Sequence, residues 1–158
     1  MAGVKEYLLD YSKGDNLDFI WKLYKLKHRT SNPVLKKACT FLLNRCAHRH
    51  GGYIGADAIL KEIPSLPHGI HGIYISTFAE IGHGCRIYQN VTIGEVNRKA
   101  PVIGDGVLIG AGAVLLGDIK IGNNVKIGAG AVVNKNIPDN CTVVAQPVRI
   151  IESKKNEQ

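Results

Sequence analysis

The chain has little of what usually marks a membrane, secreted or nucleic-acid-binding protein. Its 158 residues contain no apolar run of twenty and no signal-peptide pattern, which predicts a cytoplasmic protein without a membrane-spanning helix. Aromatic residues make up only 6% of the chain, and no nucleic-acid-binding motif occurs. We therefore expect no nucleic acid as a partner, because such a module needs stacking aromatics or a recognisable motif besides positive charge.

Cysteine is also scarce, and its spacing is not that of a metal site. The four cysteines, Cys39, Cys46, Cys85 and Cys141, show no ligand-like spacing, so reduced thiols are expected. No histidine follows His83, whereas a zinc site between subunits would need three converging imidazoles. The sequence therefore predicts no metal.

Acidic residues are missing from one long stretch. Between Asp18 and Asp57 the chain has no aspartate or glutamate, but it has eight lysines and arginines. Such a surface allows peripheral contact with a membrane or an anionic glycan. The preferred interpretation is a solvated helix face, which is the more common origin of a basic helix surface.

What the sequence does contain is an aliphatic residue at every sixth position. The series is Ile75, Ile81, Ile87, Ile93, Ile103, Ile109, Leu115, Ile121, Ile127 and Val133. A period of six fits neither an α-helix nor an alternating strand. It is typical of a parallel β-helix, in which three short strands form one coil and the coils stack. The fold is therefore predicted to be mainly β.

Two helices are predicted before the repeats. The first covers residues 15–28, with Asp15 as its N-cap. The second begins after Asn32, with Pro33 in its first turn, and ends before Gly51. Its predicted buried face consists of Leu35, Ala38, Leu42 and Cys46. Such a helical hairpin would cover the first coil, whose edge would otherwise be open.

The chain thus divides into an N-terminal helical segment (1–52), a β-helix (53–151) and a polar tail (152–158). Two insertions interrupt the repeat: residues 67–72 contain three extra positions, and residues 95–100 contain four. Loops that interrupt a regular scaffold are where functional residues concentrate.

One corner of the predicted β-helix carries a column of mostly small residues. The third side of the β-helix is predicted to contain Leu66, Ile87, Ile109, Ile127 and Ala145. The column consists of the residues two positions after each of these: His68, Gln89, Ala111, Ala129 and Pro147. With coils about 4.8 Å apart, His68 and Ala129 are separated by roughly 14 Å. This span suits an extended pantetheine arm whose thioester end lies near a histidine.

His68 is the favoured general base, and His71, in the same inserted loop, is its competitor. The loop position and the column favour His68. The remaining histidines are expected to be surface or structural residues: His28, His48, His50 and His83.

Several motifs carry a resemblance to a known family. Ile-Gly-Ala-Gly-Ala begins at Ile109 and again at Ile127, Gln-Asn-Val-Thr-Ile-Gly begins at Gln89, and the segment closes on Pro-Val-Arg at 147–149. The chain resembles the hexapeptide-repeat acyltransferases, and among them serine acetyltransferase and its shortened relatives of surface-polysaccharide synthesis. The resemblance covers residues 53–151. It implies a left-handed β-helix, homotrimers, acetyl-CoA between subunits, and a catalytic histidine at His68.

The departures from serine acetyltransferase favour the shortened relatives. The family's aspartate partner of the histidine would fall at or near Tyr53, and its Arg-His pair before Pro101 corresponds here to Lys99-Ala100. That pair is implicated in holding the amino acid. The expected acyl acceptor is therefore a hydroxyl of a sugar or surface-polysaccharide precursor, with L-serine as the alternative. A non-catalytic β-helix that serves as an assembly module is a further alternative.

The predicted reaction needs a base, an oriented thioester and an acceptor site. The predicted residues are His68 as base; Gly94, Ala111, Gly112 and Ala129 beside acetyl-CoA; and Gln89, Arg98 and Lys99 at the acceptor. The two insertions fall on different corners of one β-helix. If both serve one site, neighbouring chains must supply them, which predicts a homotrimer with three shared sites.

Overall fold

A computed structural model describes residues 17–146 of the chain. The predicted start of the first helix at Asp15, the closing Pro-Val-Arg motif and the polar tail lie outside these residues. No helix within the described residues is long and apolar enough to cross a membrane.

Two helices precede the strands, as predicted. Helix α1 spans Asp18–Arg29 and helix α2 spans Pro33–Arg49. The side chain of Asn32 caps α2, since its Oδ1 accepts hydrogen bonds from the N–H groups of Val34 (2.9 Å) and Leu35 (3.2 Å). The N-cap position of α1 is occupied by the buried Leu17, which makes no side-chain cap.

The predicted buried face of α2 is wrong by about one residue. The buried side chains are Cys39, Leu43 and Ala47, whereas Leu35 and Leu42 are exposed. Helix α2 has apolar residues on both faces, so its own pattern does not select one. Packing against α1 and the first coil decides which face is buried.

Buried polar contacts join α1 to the first coil. The Lys27 ammonium is buried, donates to the carbonyl oxygen of Ala56 (2.8 Å) and pairs with the Asp57 carboxylate. The Tyr24 hydroxyl donates to the carbonyl oxygen of Ala58 at 2.6 Å. The sequence had suggested that Lys27 belongs to a solvated basic surface. Its ammonium group is instead buried against the first coil.

Thirteen strands follow within the described residues. Their bounds are β1 Tyr53–Ile54, β2 Ile59–Leu60, β3 Tyr74–Ile75, β4 Glu80–Ile81, β5 Arg86–Ile87, β6 Thr92–Gly94, β7 Val102–Ile103, β8 Leu108–Ile109, β9 Val114–Leu116, β10 Lys120–Ile121, β11 Lys126–Ile127, β12 Val132–Val133 and β13 Thr142–Val143. They pair in parallel into three sheets. Sheet 1 is β1-β3-β6-β9-β12, sheet 2 is β2-β4-β7-β10 and sheet 3 is β5-β8-β11-β13. This confirms the parallel β-helix behind a helical hairpin.

The repeat residues form the core of this β-helix. The second residue of almost every strand points inward. From Ile54 to Val133 these inward residues are at most 3% exposed in sheet 1, in sheet 3 and in most strands of sheet 2. In each coil a small residue four positions later, such as Ala79, Val91 or Ala113, fills the corner. An aliphatic side chain every six residues therefore builds one continuous apolar column.

The last coil is shorter than predicted. Ile137 bridges to Ile121, and Val143 pairs with Ile127, so the coil is two residues short between Val133 and Ile137. Val143, and not Ala145, therefore continues the side that contains Ile127. The column at the neighbouring corner correspondingly ends at Ala145 in place of Pro147.

The second insertion is a tight hairpin. Val96 and Lys99 exchange backbone hydrogen bonds of 2.9 and 3.1 Å, and both residues between them have positive φ, 53° at Asn97 and 63° at Arg98. This is the geometry of a type I′ turn. The turn projects its tip from the corner between sheets 1 and 2.

Candidate functional site

The first group of predicted site residues lies at the corner between sheets 3 and 1, which we call the His68 corner. Here the chain turns at residues 67–72, 89–90, 111–112 and 129–130 in successive coils. Backbone hydrogen bonds stack these turns, from Asn90 N–H to His71 O (3.0 Å), from Gly112 N–H to Gln89 O (3.0 Å) and from Gly130 N–H to Ala111 O (2.9 Å). The structure thus brings His68, Gln89, Ala111, Gly112 and Ala129 together at one corner.

The loop at residues 67–72 is anchored by one inward side chain. Ile70 is 1% exposed and packs in the core, while His68 and His71 on either side of it are exposed. The His68 ring lies beside Tyr88 of the next coil, with the ring centroids 5.8 Å apart. The loop therefore holds the His68 ring against the turn of the next coil.

His71 faces a different direction. A β-carbon added to Gly51, just past the C-terminal end of α2, would lie 3.9 Å from His71 Nδ1. The His71 ring is therefore directed towards the helical hairpin. Of the two histidines in the loop, His68 has the better position for a reaction along the column.

The rest of the column is open to a ligand. Gly112 and Gly130 both have φ of +68°, and a β-carbon on either would find no atom within 4 Å. The side chains beside them are only the methyl groups of Ala111 and Ala129. An extended chain can therefore approach the backbone of these turns closely.

Gln89 adds a polar group to this corner. Its side-chain oxygen Oε1 is buried and has no hydrogen-bond partner. An unpaired buried acceptor costs free energy, on the order of 1–3 kcal/mol. The carboxamide is therefore suited to receive a hydrogen bond from a ligand amide or hydroxyl that enters the corner.

The second group of predicted residues lies at the corner between sheets 1 and 2, which we call the Arg98 corner. Gly94, Arg98 and Lys99 all belong to it. Gly94 pairs with Leu116 in sheet 1 and is buried, and a β-carbon there would lie 2.7 Å from the Leu116 side chain. Within one chain Gly94 is thus separated from the other residues predicted to contact acetyl-CoA. A glycine at this position leaves room for the Leu116 side chain.

The two cations of the Arg98 corner differ in their surroundings. Lys99 pairs with the Asp118 carboxylate, and this hydrogen bond raises the pKa of the Lys99 ammonium. The Arg98 guanidinium lies over the Phe78 ring, 5.7 Å from its centroid, and makes a cation–π contact. Arg98 also has positive φ, which is uncommon for arginine and places strain at the hairpin tip.

The sequence alone did not reveal the residues that support Arg98. Phe78 lies one coil before it, and the buried Ser76 hydroxyl binds the Glu95 carboxylate at the base of the hairpin. Ser76 also accepts a hydrogen bond from the N–H of Phe78 at 3.1 Å. These contacts join turns of neighbouring coils, so only the insertion beginning at Glu95 gave a signal in the sequence.

Metal-binding residues do not converge anywhere in the described region. No group of three or more histidine, cysteine, aspartate or glutamate side chains in residues 17–146 could hold an ion. The described cysteines are free thiols, and burial raises the pKa of the Cys85 thiol.

Comparison with known proteins identifies the family. A family model described as bacterial transferase hexapeptide (six repeats) matches residues 100–135. Serine acetyltransferase of Bacillus pumilus is 34% identical over 154 residues, which cover 92% of this chain and 67% of that protein. The chain belongs to the serine acetyltransferase family. It spans a smaller part of the chloroplastic serine acetyltransferase 1 of Arabidopsis thaliana, 43% of that protein at 44% identity, with 84% of this chain covered.

Solved structures of this family share the fold. Serine acetyltransferase of Neisseria gonorrhoeae in complex with serine has a TM-score of 0.72 and 36% identity, over 83% of this chain and 55% of that one. Isoform 3 of Entamoeba histolytica in complex with cysteine has a TM-score of 0.73 and 32% identity, over 87% of this chain and 50% of that one.

These findings overturn the expected acceptor. The sequence-based preference for a sugar or polysaccharide hydroxyl is wrong, because the relatives and structures that match are serine acetyltransferases. That preference depended on the Lys99-Ala100 pair and on Tyr53. Relatives that match over most of this chain outweigh differences at two positions.

Proposed function

We propose that the protein is a serine O-acetyltransferase that uses acetyl-CoA as acetyl donor. The observation that carries this proposal is the open column of the His68 corner, in a chain of the serine acetyltransferase family. The column provides a path of small residues for the pantetheine arm, along Ala129, Gly112 and Ala111. Gln89 and His68 stand at the end where the thioester would react.

The reaction follows from these positions. His68 accepts the proton of the serine hydroxyl as the hydroxyl oxygen attacks the thioester carbonyl carbon. The tetrahedral intermediate bears a negative oxygen, which N–H donors of the corner or the Gln89 amide can stabilise. The intermediate then collapses, the carbon–sulfur bond breaks, and the imidazolium returns its proton to the CoA thiolate. The products are O-acetylserine and CoA.

Arg98 is proposed to hold the carboxylate of serine. A guanidinium can bind a carboxylate with two parallel hydrogen bonds, and Arg98 projects from the tip of a rigid hairpin. Lys99 already has Asp118 as its partner, so it supports the hairpin more than it offers a free charge.

The proposed enzyme is a homotrimer with three shared sites. His68 and Arg98 lie on different corners of one chain, with sheet 1 between them. A threefold ring brings the His68 corner of one chain against the Arg98 corner of the next. A cytoplasmic location and contact of the basic helices with an anionic surface stay predictions.

A thiol-release assay tests the activity. We expect CoA release from acetyl-CoA with L-serine and little with a panel of sugars, and we expect His68→Ala to lower turnover about 10²–10⁴-fold with CoA binding retained. His71→Ala is the matched control from the same loop and should keep most activity.

Three results would contradict this scheme. Release with sugars but not serine would reject the acceptor, and loss of activity in His71→Ala alone would move the base to His71. Failure of the parent protein to bind CoA in calorimetry would leave a non-catalytic β-helix.

A further inference from the structure

The structure covers only one side of helix α2. The buried side chains of this helix are Cys39, Leu43 and Ala47. On the opposite side Val34 is 75% exposed and Phe41 is 68% exposed. Six of the thirteen large apolar side chains that are strongly exposed within residues 17–146 belong to the helical hairpin: Phe19, Leu26, Val34, Leu35, Phe41 and Leu42. A basic helix face that is only solvated needs no such groups, so their clustering points to a contact surface.

The exposed sides of the two helices share one pattern, in which apolar and cationic residues alternate. The stripe on α2 consists of Val34, Lys37, Phe41 and Arg45, and the stripe on α1 consists of Phe19, Lys22, Leu26 and Arg29. Successive members are three or four residues apart, so each set lies on one side of its helix. All eight residues are exposed. We call these two stripes together the hairpin surface.

The hairpin surface has almost no negative charge to balance its cations. Asp18, the first residue of α1, is the only acidic residue of the two helices. Lys27 is buried and paired with Asp57. The other lysines and arginines of the two helices are exposed: Lys22, Lys25, Arg29, Lys36, Lys37, Arg45 and Arg49. The partner of this surface must therefore offer both negative charge and an apolar phase.

We propose that the hairpin surface binds an anionic phospholipid membrane as a peripheral contact. Val34 and Phe41 enter the boundary between headgroups and acyl chains, and the neighbouring lysines and arginines meet the lipid phosphates. With cations along its exposed stripe, α2 lies in the plane of the interface. This contact does not involve the His68 and Arg98 corners, so the proposal is independent of acetyl transfer.

Other occupants fit the hairpin surface less well. Two hairpin surfaces packed against each other would bring the seven exposed cations of each chain together, and burying cations without partners is unfavourable. A soluble polyanion would attract the cations but would leave Val34 and Phe41 in water. Only an anionic lipid surface satisfies both kinds of side chain.

Cosedimentation with vesicles tests the contact. We expect the parent to bind vesicles of phosphatidylglycerol mixed with phosphatidylcholine, to bind pure phosphatidylcholine poorly, and to dissociate as salt is raised. Val34→Ser with Lys37→Gln should weaken binding to the mixed vesicles about tenfold. Val102→Ser with Lys120→Gln is the matched control, since it removes the same two kinds of exposed side chain from sheet 2, and it should bind like the parent.

A tryptophan in the stripe measures insertion directly. Phe41→Trp keeps an aromatic ring at the exposed position, and Trp21 is the only tryptophan of the parent, so its emission can be subtracted. We expect the emission of the new tryptophan to shift to shorter wavelengths when mixed vesicles are added. Val102→Trp on sheet 2 should show no such shift. Circular dichroism checks that each variant keeps the fold.

Several outcomes would overturn the proposal. It is rejected if the parent does not bind mixed vesicles, if the two double variants bind them equally well, or if the Phe41→Trp emission stays unchanged. Binding to soluble heparin without binding to vesicles would assign the cations to a polyanion. Association of the chain without lipid that Phe41→Ser abolishes would assign the surface to a second copy. Each of these results can be obtained whether or not serine is acetylated.

Discussion

At the corner between sheets 2 and 3, side chains of one coil form hydrogen bonds with the backbone of the neighbouring coil. Asp105 Oδ1 accepts the N–H of His83, Asn123 Oδ1 accepts the N–H of Asp105, and Asp139 Oδ1 accepts the N–H of Asn123, each at 2.8 Å. Each bond satisfies a backbone donor at a turn, where no strand partner is available. His83 thus has a structural position, at a corner that sheet 3 separates from the His68 corner.

This series of hydrogen bonds predicts that the stability of the protein depends on pH in the acid range. The N–H of His83 holds the pKa of Asp105 below its ordinary value. The contribution of a carboxylate with a depressed pKa is complete above the unfolded-state pKa, near 4, and is lost as pH falls through the lower folded value. Asp105→Asn keeps an acceptor but does not titrate. We therefore expect the free energy of unfolding of the parent to fall more steeply than that of Asp105→Asn below about pH 4.

Urea unfolding of the parent and of Asp105→Asn at several pH values between 5 and 3 measures the difference. Parallel curves for the two proteins would show that Asp105 does not contribute to the acid dependence.

At the scale of the element, the spacing of coils limits which residues fit the strand ends. A β-carbon on Gly110 would lie 2.6 Å from the backbone nitrogen of Ala129 and 2.9 Å from the carbonyl carbon of Gly128 in the next coil. Backbone at that distance cannot move aside without separating the coils. Gly112, two residues later, has open space but positive φ.

These two glycines therefore predict different effects. Gly110→Ala should lower the free energy of unfolding by about 1–3 kcal/mol, because it overpacks the contact between coils. Gly112→Asn should be nearly neutral for stability, since asparagine occupies the same left-handed turn at Asn90 and Asn124. Its side chain would stand in the open column and weaken CoA binding.

Chemical unfolding and calorimetry with CoA distinguish the two variants. The prediction is contradicted if Gly110→Ala is as stable as the parent, or if Gly112→Asn binds CoA with unchanged affinity.

At the scale of the whole molecule, the separation of His68 and Arg98 predicts complementation between inactive variants. His68→Ala lacks the base. Arg98→Asn with Lys99→Gln lacks the charges of the hairpin, and asparagine tolerates the positive φ of the turn. In a random mixture of equal amounts, about one quarter of the shared sites would combine an intact His68 with an intact Arg98.

Serine acetylation by the mixture should therefore rise towards about one quarter of the parent activity when subunits exchange. Each variant incubated alone is the control. Absence of recovery, after exchange has been demonstrated with labelled chains, would reject a site shared by His68 and Arg98 of neighbouring chains.

The sequence by itself determined the architecture of this protein. An aliphatic residue every six positions can be buried only by a chain that turns three times per coil, so Ile75 to Val133 predicted the strands and their register. Asn32 and Pro33 likewise predicted the start of α2, because a cap acts on the N–H groups of its own helix. Both insertions were visible as breaks in the period, and they located His68 and Arg98.

Only the tertiary structure decided the features that depend on contacts between distant residues. Packing chose Cys39, Leu43 and Ala47 over the equally apolar Leu35 and Leu42 as the buried face of α2. Pairing with the previous coil shortened the last one and moved the column to Ala145. Strand pairing also placed Gly94 at the Arg98 corner. The stacking of coils brought the Phe78 ring under the Arg98 guanidinium. These choices depend on which surfaces meet, and a pattern along one segment does not contain that information.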